Sequence, residues 1–273
     1  MKCFYHNADL DGICSAAVVK HKFPTCELFG INHGDVFPLE TIVKDEEVYM
    51  VDFSLPGDEM LKLDQESALI WIDHHKTAID RLSGENIKGL RSIGAAACKL
   101  AWMLLFPNIT IPRAVQLLSD WDIWNHTDRD CKPFQYGMRL ETHSPTDKIW
   151  EHIFTDEDSF NMILDQGQTI VAYTVQDAAY RMEHSAFVCE FEGLKCLAVN
   201  QSSINSLFFE SMWDEAIYDA MISFGFHGGI WTISMYATKV DVSKIAVKFG
   251  GGGHEHACGF TCEKLPEVFG GAA

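Results

Sequence analysis

The sequence predicts an α/β protein in which a mainly parallel sheet, covered by helices, is followed by a long helix and a smaller α/β domain. Two observations lead to this. In the first third of the chain, short apolar runs rich in β-formers and aromatics alternate with helical stretches, as in strands buried on both faces of a parallel sheet. From residue 156 to about 187 the sequence is helical and free of proline. We therefore divide the chain into a first domain (1–155), a helical linker (156–186) and a second domain (187–273).

The first domain contains four predicted strands and three predicted helices. The strands are "KCFYH" (2–6), "CELFGI" (26–31), "EVYMVDF" (47–53) and "ALIWIDHH" (68–75). The helices are "DGICSAAVVKHKF" (11–23), "GAAACKLAWMLLF" (94–106) and "PRAVQLLSDW" (112–121), the last with a proline in its first turn.

The second domain has a different texture, and its elements are shorter. Strands are predicted in "FVCEFEGLKCLAVN", "AIYDAMISFGF" and "IWTISMYAT". Helices are predicted in "INSLFFESMW" and "DVSKIAVKF".

Composition excludes several classes of function. The formal net charge of −18 and the absence of a Lys/Arg-rich run disfavour a long nucleic acid lying along the surface. No apolar stretch has the length that a membrane span needs, and the N-terminal residues do not resemble a secretory signal. The nine cysteines form no close pairs and are interpreted as reduced, buried thiols. We expect a cytoplasmic protein without a membrane partner.

Acidic and histidine side chains follow three of the predicted strands. The first strand leads into His6, Asp9 and Asp11, the third ends at Asp52, and the fourth ends at Asp73, His74 and His75. Ligands of parallel sheets bind outside the carboxyl ends of the strands, so these groups should meet. Taken alone, the first could be a polar turn that caps a helix. Together they predict a metal site, and mixed His and Asp ligands suit manganese, iron, zinc or cobalt better than calcium.

A run of four glycines stands near the C-terminus, in "KFGGGGHEHACGF" (248–260). Glycines let a backbone wrap closely around an anion, and His254 is placed to donate to a phosphate oxygen or a leaving group. The alternative is a flexible linker, but linkers are rarely followed by a histidine and small residues. We interpret the run as a phosphate-binding segment.

In this order, five motifs resemble those of the DHH-family phosphoesterases of the DHH–DHHA1 type: "HNADLDG", "VYMVDFS", "DHH", "LLSDWDIW" and "GGGGHEHACGF". The "DWDIW" text is closer to the branch of short-oligoribonucleases and cyclic-nucleotide phosphodiesterases than to RecJ exonucleases. The resemblance implies a DHH metal-binding catalytic domain (1–155), a helical linker (156–186) and a DHHA1 substrate-binding domain (187–273). It also implies an active site in the interdomain cleft.

The resemblance also implies roles for individual residues. His6 and Asp9 would hold one metal, Asp11, His74 and Asp120 the other, and Asp52 would bridge them, although Asp122 is an alternative to Asp120. Asp73 would orient His74 from behind. The substrate contacts would be His75, Gly251, Gly252, Gly253 and His254. Ser92 stands near a predicted helix N-terminus, where it could meet a phosphate or simply cap the helix.

The function implied is a two-metal phosphodiesterase that trims short RNA from the 3′ end by attack of a metal-bridging hydroxide, with Asp52, His75 and His254 in catalysis. The expected cofactors are two divalent ions, manganese first and Mg²⁺, Co²⁺, Fe²⁺ or Zn²⁺ as alternatives. The alternative substrate is a cyclic mono- or dinucleotide, because the chemistry at phosphorus is shared and the motifs do not separate the two. Tyr236 stands where many DHHA1 domains carry an arginine, so one phosphate clamp of the usual dinucleotide site is missing. A RecJ-like exonuclease, an inorganic pyrophosphatase and a non-catalytic nucleotide-binding module fit less well. The partner is short RNA or a nucleotide, and a homodimer is left open.

Overall fold

The computed structural model describes residues 1–141 and 144–270 of the chain. The chain divides into two compact units, Met1–Val171 and Ala172–Ala273. Residues 271–273, with which the predicted second domain ends, lie outside the described residues. In the described part of the chain, no helix combines the length and apolarity that crossing a membrane requires.

The first unit is built on a sheet of five parallel strands, in the order β2-β1-β3-β4-β5. The strands are β1 (Lys2–His6), β2 (Glu27–Ile31), β3 (Glu47–Val51), β4 (Ala68–Asp73) and β5 (Gly89–Arg91). The four predicted strands are confirmed. The fifth was missed because it is three residues long and carries no apolar run.

Helices cover both faces of this sheet. They are α1 (Leu10–Lys22), α2 (Gly57–Glu66), α3 (Lys76–Arg81), α4 (Ala97–Leu105), α5 (Arg113–Asp122), α6 (Cys131–Met138) and α7 (Lys148–Thr155). Alternate strand residues belong to two separate apolar clusters: Tyr49 packs with α1, α4 and α5, whereas Met50 packs with α2. This period of two explains why the strands are apolar throughout.

A 29-residue helix, α8 (Glu157–Ser185), follows where the sequence predicted a long one. The second unit contains a six-stranded sheet in the order β10-β11-β9-β8-β7-β6. Its strands are β6 (Phe187–Phe191), β7 (Leu194–Asn200), β8 (Ala220–His227), β9 (Ile230–Tyr236), β10 (Gly252–His254) and β11 (Ala257–Cys262), with helix α9 at Ser243–Lys248. Only β7 and β8 run parallel in this sheet.

One predicted helix of the second unit is wrong. The stretch "INSLFFESMW" forms only a single 3₁₀ turn, Ser206–Phe209. The side chain of Asn205 accepts a hydrogen bond from the amide of Leu207 and starts the turn, while fully buried Phe209 holds its end in an apolar cluster. Tertiary burial of the aromatic residues therefore overrides the weak helical pattern.

Candidate metal centre

The carboxyl ends of β1, β3 and β4 bring the predicted ligands to one edge of the first sheet. Strand β1 ends at His6, Asp52 directly follows β3, and His74 directly follows β4. The amide of Asp52 donates to the carbonyl of Ile72 at 2.9 Å, which ties this residue to β4. Asp52 is 2% exposed and has a φ of 54°, in the left-handed region that few residues other than glycine adopt. The fold thus holds a buried carboxylate in a strained backbone between the two histidines.

The ligand atoms form two groups that share Asp52, and His75 also lies within ligand distance of Asp52 and His74. In the first group, Nδ1 of His6 lies 3.0 Å from Oδ2 of Asp9 and 3.6 Å from Oδ2 of Asp52. In the second, Nε2 of His74 lies 3.3 Å from Oδ1 of Asp52, 3.6 Å from Oδ2 of Asp11 and 3.1 Å from Oδ2 of Asp122.

Two of these atoms are buried without a hydrogen bond. Among the described residues, neither Nδ1 of His6 nor Oδ1 of Asp52 has a hydrogen bond of good geometry, although both are inaccessible to solvent and Nδ1 of His6 lies only 3.0 Å from Oδ2 of Asp9. A buried polar atom left without a partner costs about 1–3 kcal/mol. Coordination to a cation would satisfy both, and mixed imidazole and carboxylate donors fit manganese, iron, zinc or cobalt. The residues present therefore fit divalent ions.

The electrostatics of the cluster also favour cations. Burial, reinforced by the Asp52 and Asp122 carboxylates, raises the pKa of Asp11 well above its usual value. Burial likewise raises the pKa of Asp122 to about 6. The carboxylates of Asp52 and Asp9 raise the pKa of His6 to about 10. These shifts arise because carboxylates crowd together in a buried place, and bound cations would relieve the repulsion.

The structure contradicts the choice of Asp120 over Asp122. Oδ2 of Asp120 accepts from the side-chain amide of Gln116 at 2.8 Å, and Oδ1 accepts from that of Asn125 at 3.2 Å. Successive helical residues are about 100° apart, so two positions along α5 differ by about 200° around its axis. The two aspartates therefore face opposite ways, and only Asp122 meets His74 and Asp11.

Asp73 was expected to orient the ring of His74, but the structure shows that it does not. Its fully buried Oδ1 accepts from Nδ1 of His75 at 2.7 Å, and from the backbone amides of His74 and His75 at 2.7 and 3.0 Å. Oδ2 accepts from the indole of Trp71 at 3.1 Å. The Asp73 carboxylate raises the pKa of His75 to about 9. Asp73 therefore fixes the ring of His75, and the ring of His74 is directed instead toward the other carboxylates.

The prediction for Ser92 is wrong about the helix. Helix α4 begins at Ala97, and its first amides are already bonded: those of Ala97 and Cys98 donate to the two oxygens of Asp11 at 2.9 and 2.8 Å. The hydroxyl of Ser92 accepts from the amide of Gly94 at 3.2 Å instead of capping this helix. The first two amides of α4 are thus not free for a phosphate, and they hold the Asp11 carboxylate instead.

Gly12 is a site-forming residue that the sequence did not identify. A Cβ at this position would lie 1.9 Å from the carbonyl oxygen of His6. The amide of Gly12 also donates to Oδ1 of Asp9 at 3.0 Å, which caps α1. Any larger side chain would push the start of α1 away from the end of β1. The glycine in "DLDG" is therefore needed to place His6 and Asp9 together.

The glycine run of the second unit is partly structural. Residues Gly252–His254 form β10, an edge strand paired with β11. A Cβ on Gly251 would lie 2.1 Å from the carbonyl of Gly259, and Gly253 has a φ of 139°. Gly252 has open space around it, and His254 is exposed. Close packing explains two of the three glycines, and the contact of this segment with substrate stays a prediction.

Comparisons with known proteins identify the fold. No family model matches the chain. "Uncharacterized protein R106" of Acanthamoeba polyphaga mimivirus is 26% identical to this chain. The matched region covers 94% of this chain and 66% of that relative. A solved DHH domain, described as part of a member of a family of ribosomal proteins, gives a TM-score of 0.61 at 11% identity, over 94% of this chain and 81% of that one.

Two further solved structures agree. A pGpG-specific phosphodiesterase from Vibrio cholerae gives a TM-score of 0.58 at 12% identity, over 95% of this chain and 92% of that one. An exopolyphosphatase-related protein from Bacteroides fragilis gives 0.52 at 12% identity, over 98% and 88%. The chain has the α/β fold of the DHH-domain proteins, and the resemblance found in the sequence is confirmed at the level of the fold.

Proposed function

We propose that this chain is a metal-dependent phosphodiesterase of the DHH–DHHA1 type that hydrolyses short RNA oligonucleotides from the 3′ end. The observation that carries the proposal is Asp52, whose two oxygens face two different histidines, each within its own group of ligands. His6, Asp9 and Asp52 would hold one divalent ion. Asp11, His74, Asp122 and Asp52 would hold the other.

When bound, such ions lower the pKa of a coordinated water and neutralise charge on a phosphoryl group. Nδ1 of His75 donates to Asp73, so its second nitrogen, Nε2, is left for a ligand on a half-exposed ring. In the metal-free protein the Asp73 carboxylate raises the pKa of His75 to about 9, which favours the imidazolium, and a charged imidazolium donates a strong hydrogen bond to a phosphate oxygen. We assign His75 to the substrate phosphate, and keep His254 and Gly252 as contacts from the second unit.

Short substrates are favoured for two reasons. A chain with a net charge of −18 cannot hold a long polyanion by a basic track, whereas a few nucleotides need only the cations of the site. The similar fold of a phosphodiesterase specific for pGpG, a linear dinucleotide, supports the same substrate class.

Cyclic mono- or dinucleotides are the second candidate. Tyr236, at the position where DHHA1 domains often carry an arginine, donates its hydroxyl to the carbonyl of Ile204 at 2.7 Å. It therefore supplies no cationic clamp for the terminal phosphate of a linear substrate.

A substrate series tests the proposal. Protein stripped with EDTA is reloaded with Mn²⁺ and given pGpG, a five-nucleotide RNA labelled at its 5′ end, a cyclic mononucleotide, a cyclic dinucleotide, long single-stranded DNA, pyrophosphate and polyphosphate. We expect rapid loss of pGpG and of the RNA, with labelled products that shorten one nucleotide at a time. Immediate release of a labelled mononucleotide would mean that hydrolysis starts from the 5′ end of the RNA. Preference for a cyclic substrate would favour the second candidate. If metal is bound, as measured by atomic emission, and nothing is hydrolysed, the proposal fails.

The choice of metal is tested in the same assay. We propose manganese, and the stripped protein is reloaded in turn with Mn²⁺, Mg²⁺, Co²⁺, Fe²⁺ and Zn²⁺ at equal free concentrations. We expect the highest kcat/KM with Mn²⁺. If another ion gives a clearly higher kcat/KM, that ion replaces manganese as the proposed cofactor.

A further inference from the structure

The segment that ends helix α5 places a tryptophan where glycine is the usual residue. The amide of Trp124 donates to the carbonyl of Trp121 at 3.1 Å, and that of Asn125 donates to the carbonyl of Asp120 at 2.7 Å. This pair of bonds defines a Schellman motif, in which the left-handed position is usually glycine and sometimes asparagine. Trp124 occupies that position with a φ of 60°. The backbone is therefore strained by a side chain that the motif does not need.

Burial of the indole does not compensate for this strain. Trp124 is 60% exposed, so most of its apolar surface stays in water. Its ring lies against the His126 ring, with centroids 4.4 Å apart, and the Trp121 ring is 6.3 Å away. A strained residue that gains little from packing points to a function for its side chain.

Trp124 stands close to the candidate metal centre. It follows Asp122 by two residues, so their Cα atoms are at most ~7.6 Å apart. Asp122 is itself 3.1 Å from the Nε2 atom of His74. The backbone of Trp124 is therefore close to that of a proposed metal ligand.

Trp124 lies next to a group of stacked aromatic side chains. The rings of Trp121 and His126 stack with centroids 4.6 Å apart and an interplanar angle of 17°. The guanidinium of Arg139 lies 4.8 Å from the Tyr136 ring and 6.0 Å from the Trp121 ring. Aromatic faces held in this way can stack a base without losing much side-chain freedom on binding.

We propose that Trp124, supported by His126, is the stacking surface for the nucleobase next to the phosphate that is cleaved. The inference rests on the proposed function, because it takes the ligand to be a nucleotide. Stacking accepts every base, since each has a π face, so this subsite should discriminate little between bases. The larger purines should stack somewhat better than pyrimidines.

The variant Trp124→Gly separates a binding role from a structural one. Glycine fits the left-handed position, so the thermal midpoint of unfolding should rise, whereas a structural tryptophan would lower it on removal. The dissociation constant for fluorescently labelled pGpG, measured by anisotropy with Ca²⁺ in place of Mn²⁺, should increase about 5- to 150-fold. Trp124→Phe retains a stacking face and should stay within about threefold of the wild type.

Ribose 5-phosphate, which has a phosphate and no base, serves as the second probe. Its affinity, measured by competition with labelled pGpG, should be equal in wild type and Trp124→Gly. Unchanged pGpG affinity in Trp124→Gly would refute the stacking surface while leaving hydrolysis, and so the proposed function, intact. Equal losses for both probes with a lower unfolding midpoint would show a structural role instead. If the wild type neither binds nor hydrolyses any nucleotide, the proposed function and this inference both fail.

Discussion

Replacing Asp122 by asparagine should remove one of two metal sites, and replacing Asp120 should not. The two residues are a matched pair, since both are aspartates of α5 and only two positions apart. Oδ2 of Asp122 lies 3.1 Å from Nε2 of His74, whereas both oxygens of Asp120 accept from side-chain amides. Titration of the EDTA-stripped protein with Mn²⁺ in a calorimeter should therefore give two ions for wild type and Asp120→Asn, and one for Asp122→Asn.

The magnitude follows from the position of the ligand. Losing a residue that merely orients a metal ligand weakens metal binding by about 10- to 100-fold. Loss of a charged ligand should cost at least the upper end, about 100-fold or roughly 2.7 kcal/mol. Asp120→Asn keeps one oxygen acceptor and should cost about 1 kcal/mol of folding stability through the disturbed pair of hydrogen bonds. Its metal affinity should stay within about threefold.

The stability of the metal-free protein should change in the opposite direction. Mainly through burial, the pKa of Asp122 is raised to about 6, so its charge opposes folding above the unfolded value of 3.8. Without metal, Asp122→Asn should be more stable than wild type by about 3 kcal/mol at pH 8, since a rise in pKa from 3.8 to about 6 corresponds to roughly that free energy, and the difference should vanish below about pH 4. Urea unfolding in EDTA at both pH values measures this difference in stability.

Loss of the second metal ion in Asp120→Asn, with two ions retained in Asp122→Asn, would refute the choice of Asp122 as the metal ligand.

Three further predictions concern the surroundings of the centre and the first sheet. Gly12→Ala would bring a Cβ to 1.9 Å from the His6 carbonyl oxygen, so it should lower the free energy of unfolding by about 3 kcal/mol or more and weaken Mn²⁺ binding. Gly84→Ala is the control, because a Cβ at that position meets open space. Equal effects of the two substitutions would contradict the role given to Gly12. Asp73→Asn removes the carboxylate that accepts the hydrogen bond from Nδ1 of His75. An NMR titration of the metal-free variant should therefore find the pKa of His75 well below about 9. An unchanged pKa would mean that another group stabilises the protonated ring. Burial raises the pKa of Glu46, but its hydrogen bonds from the Val43 amide and Lys2 outweigh this and lower the pKa to about 2. The wild type should therefore gain about 1 kcal/mol over Glu46→Gln above pH 4.5 and lose it as the pH falls toward 2, whereas a pH-independent difference in urea unfolding would exclude this linkage.

Features that follow from local pattern could be predicted from the sequence. Strands β1, β3 and β4 are largely apolar runs because helices cover both faces of the sheet, and each of these runs leads into an acidic or histidine residue. Because ligands bind at the carboxyl ends of parallel strands, the sequence also predicts that His6, Asp52 and His74 lie together.

Features that depend on the rotation of a helix or on a third element could not be predicted. Asp120 and Asp122 are only two positions apart in "LLSDWDIW", and only the packing of α5 decides which one faces His74. The partner of Asp73 depends on how the chain turns after β4, which brings the His75 ring back onto the carboxylate. Ser92 was misplaced because Asp11, distant in sequence, provides the oxygens that begin α4.

Two residues with a left-handed backbone lie at or beside the candidate metal centre. Five described residues other than glycine have positive φ, and all five lie in turns or bends. Two of the five are Asp52, shared by both ligand groups, and Trp124, two residues beyond Asp122. Strain of this kind persists only where the rest of the fold enforces it, and natural proteins accept it chiefly at functional sites. A substitution that relieves this strain should therefore make the metal-free protein more stable and weaken metal or nucleotide binding, a pairing that a purely structural origin of the strain does not produce.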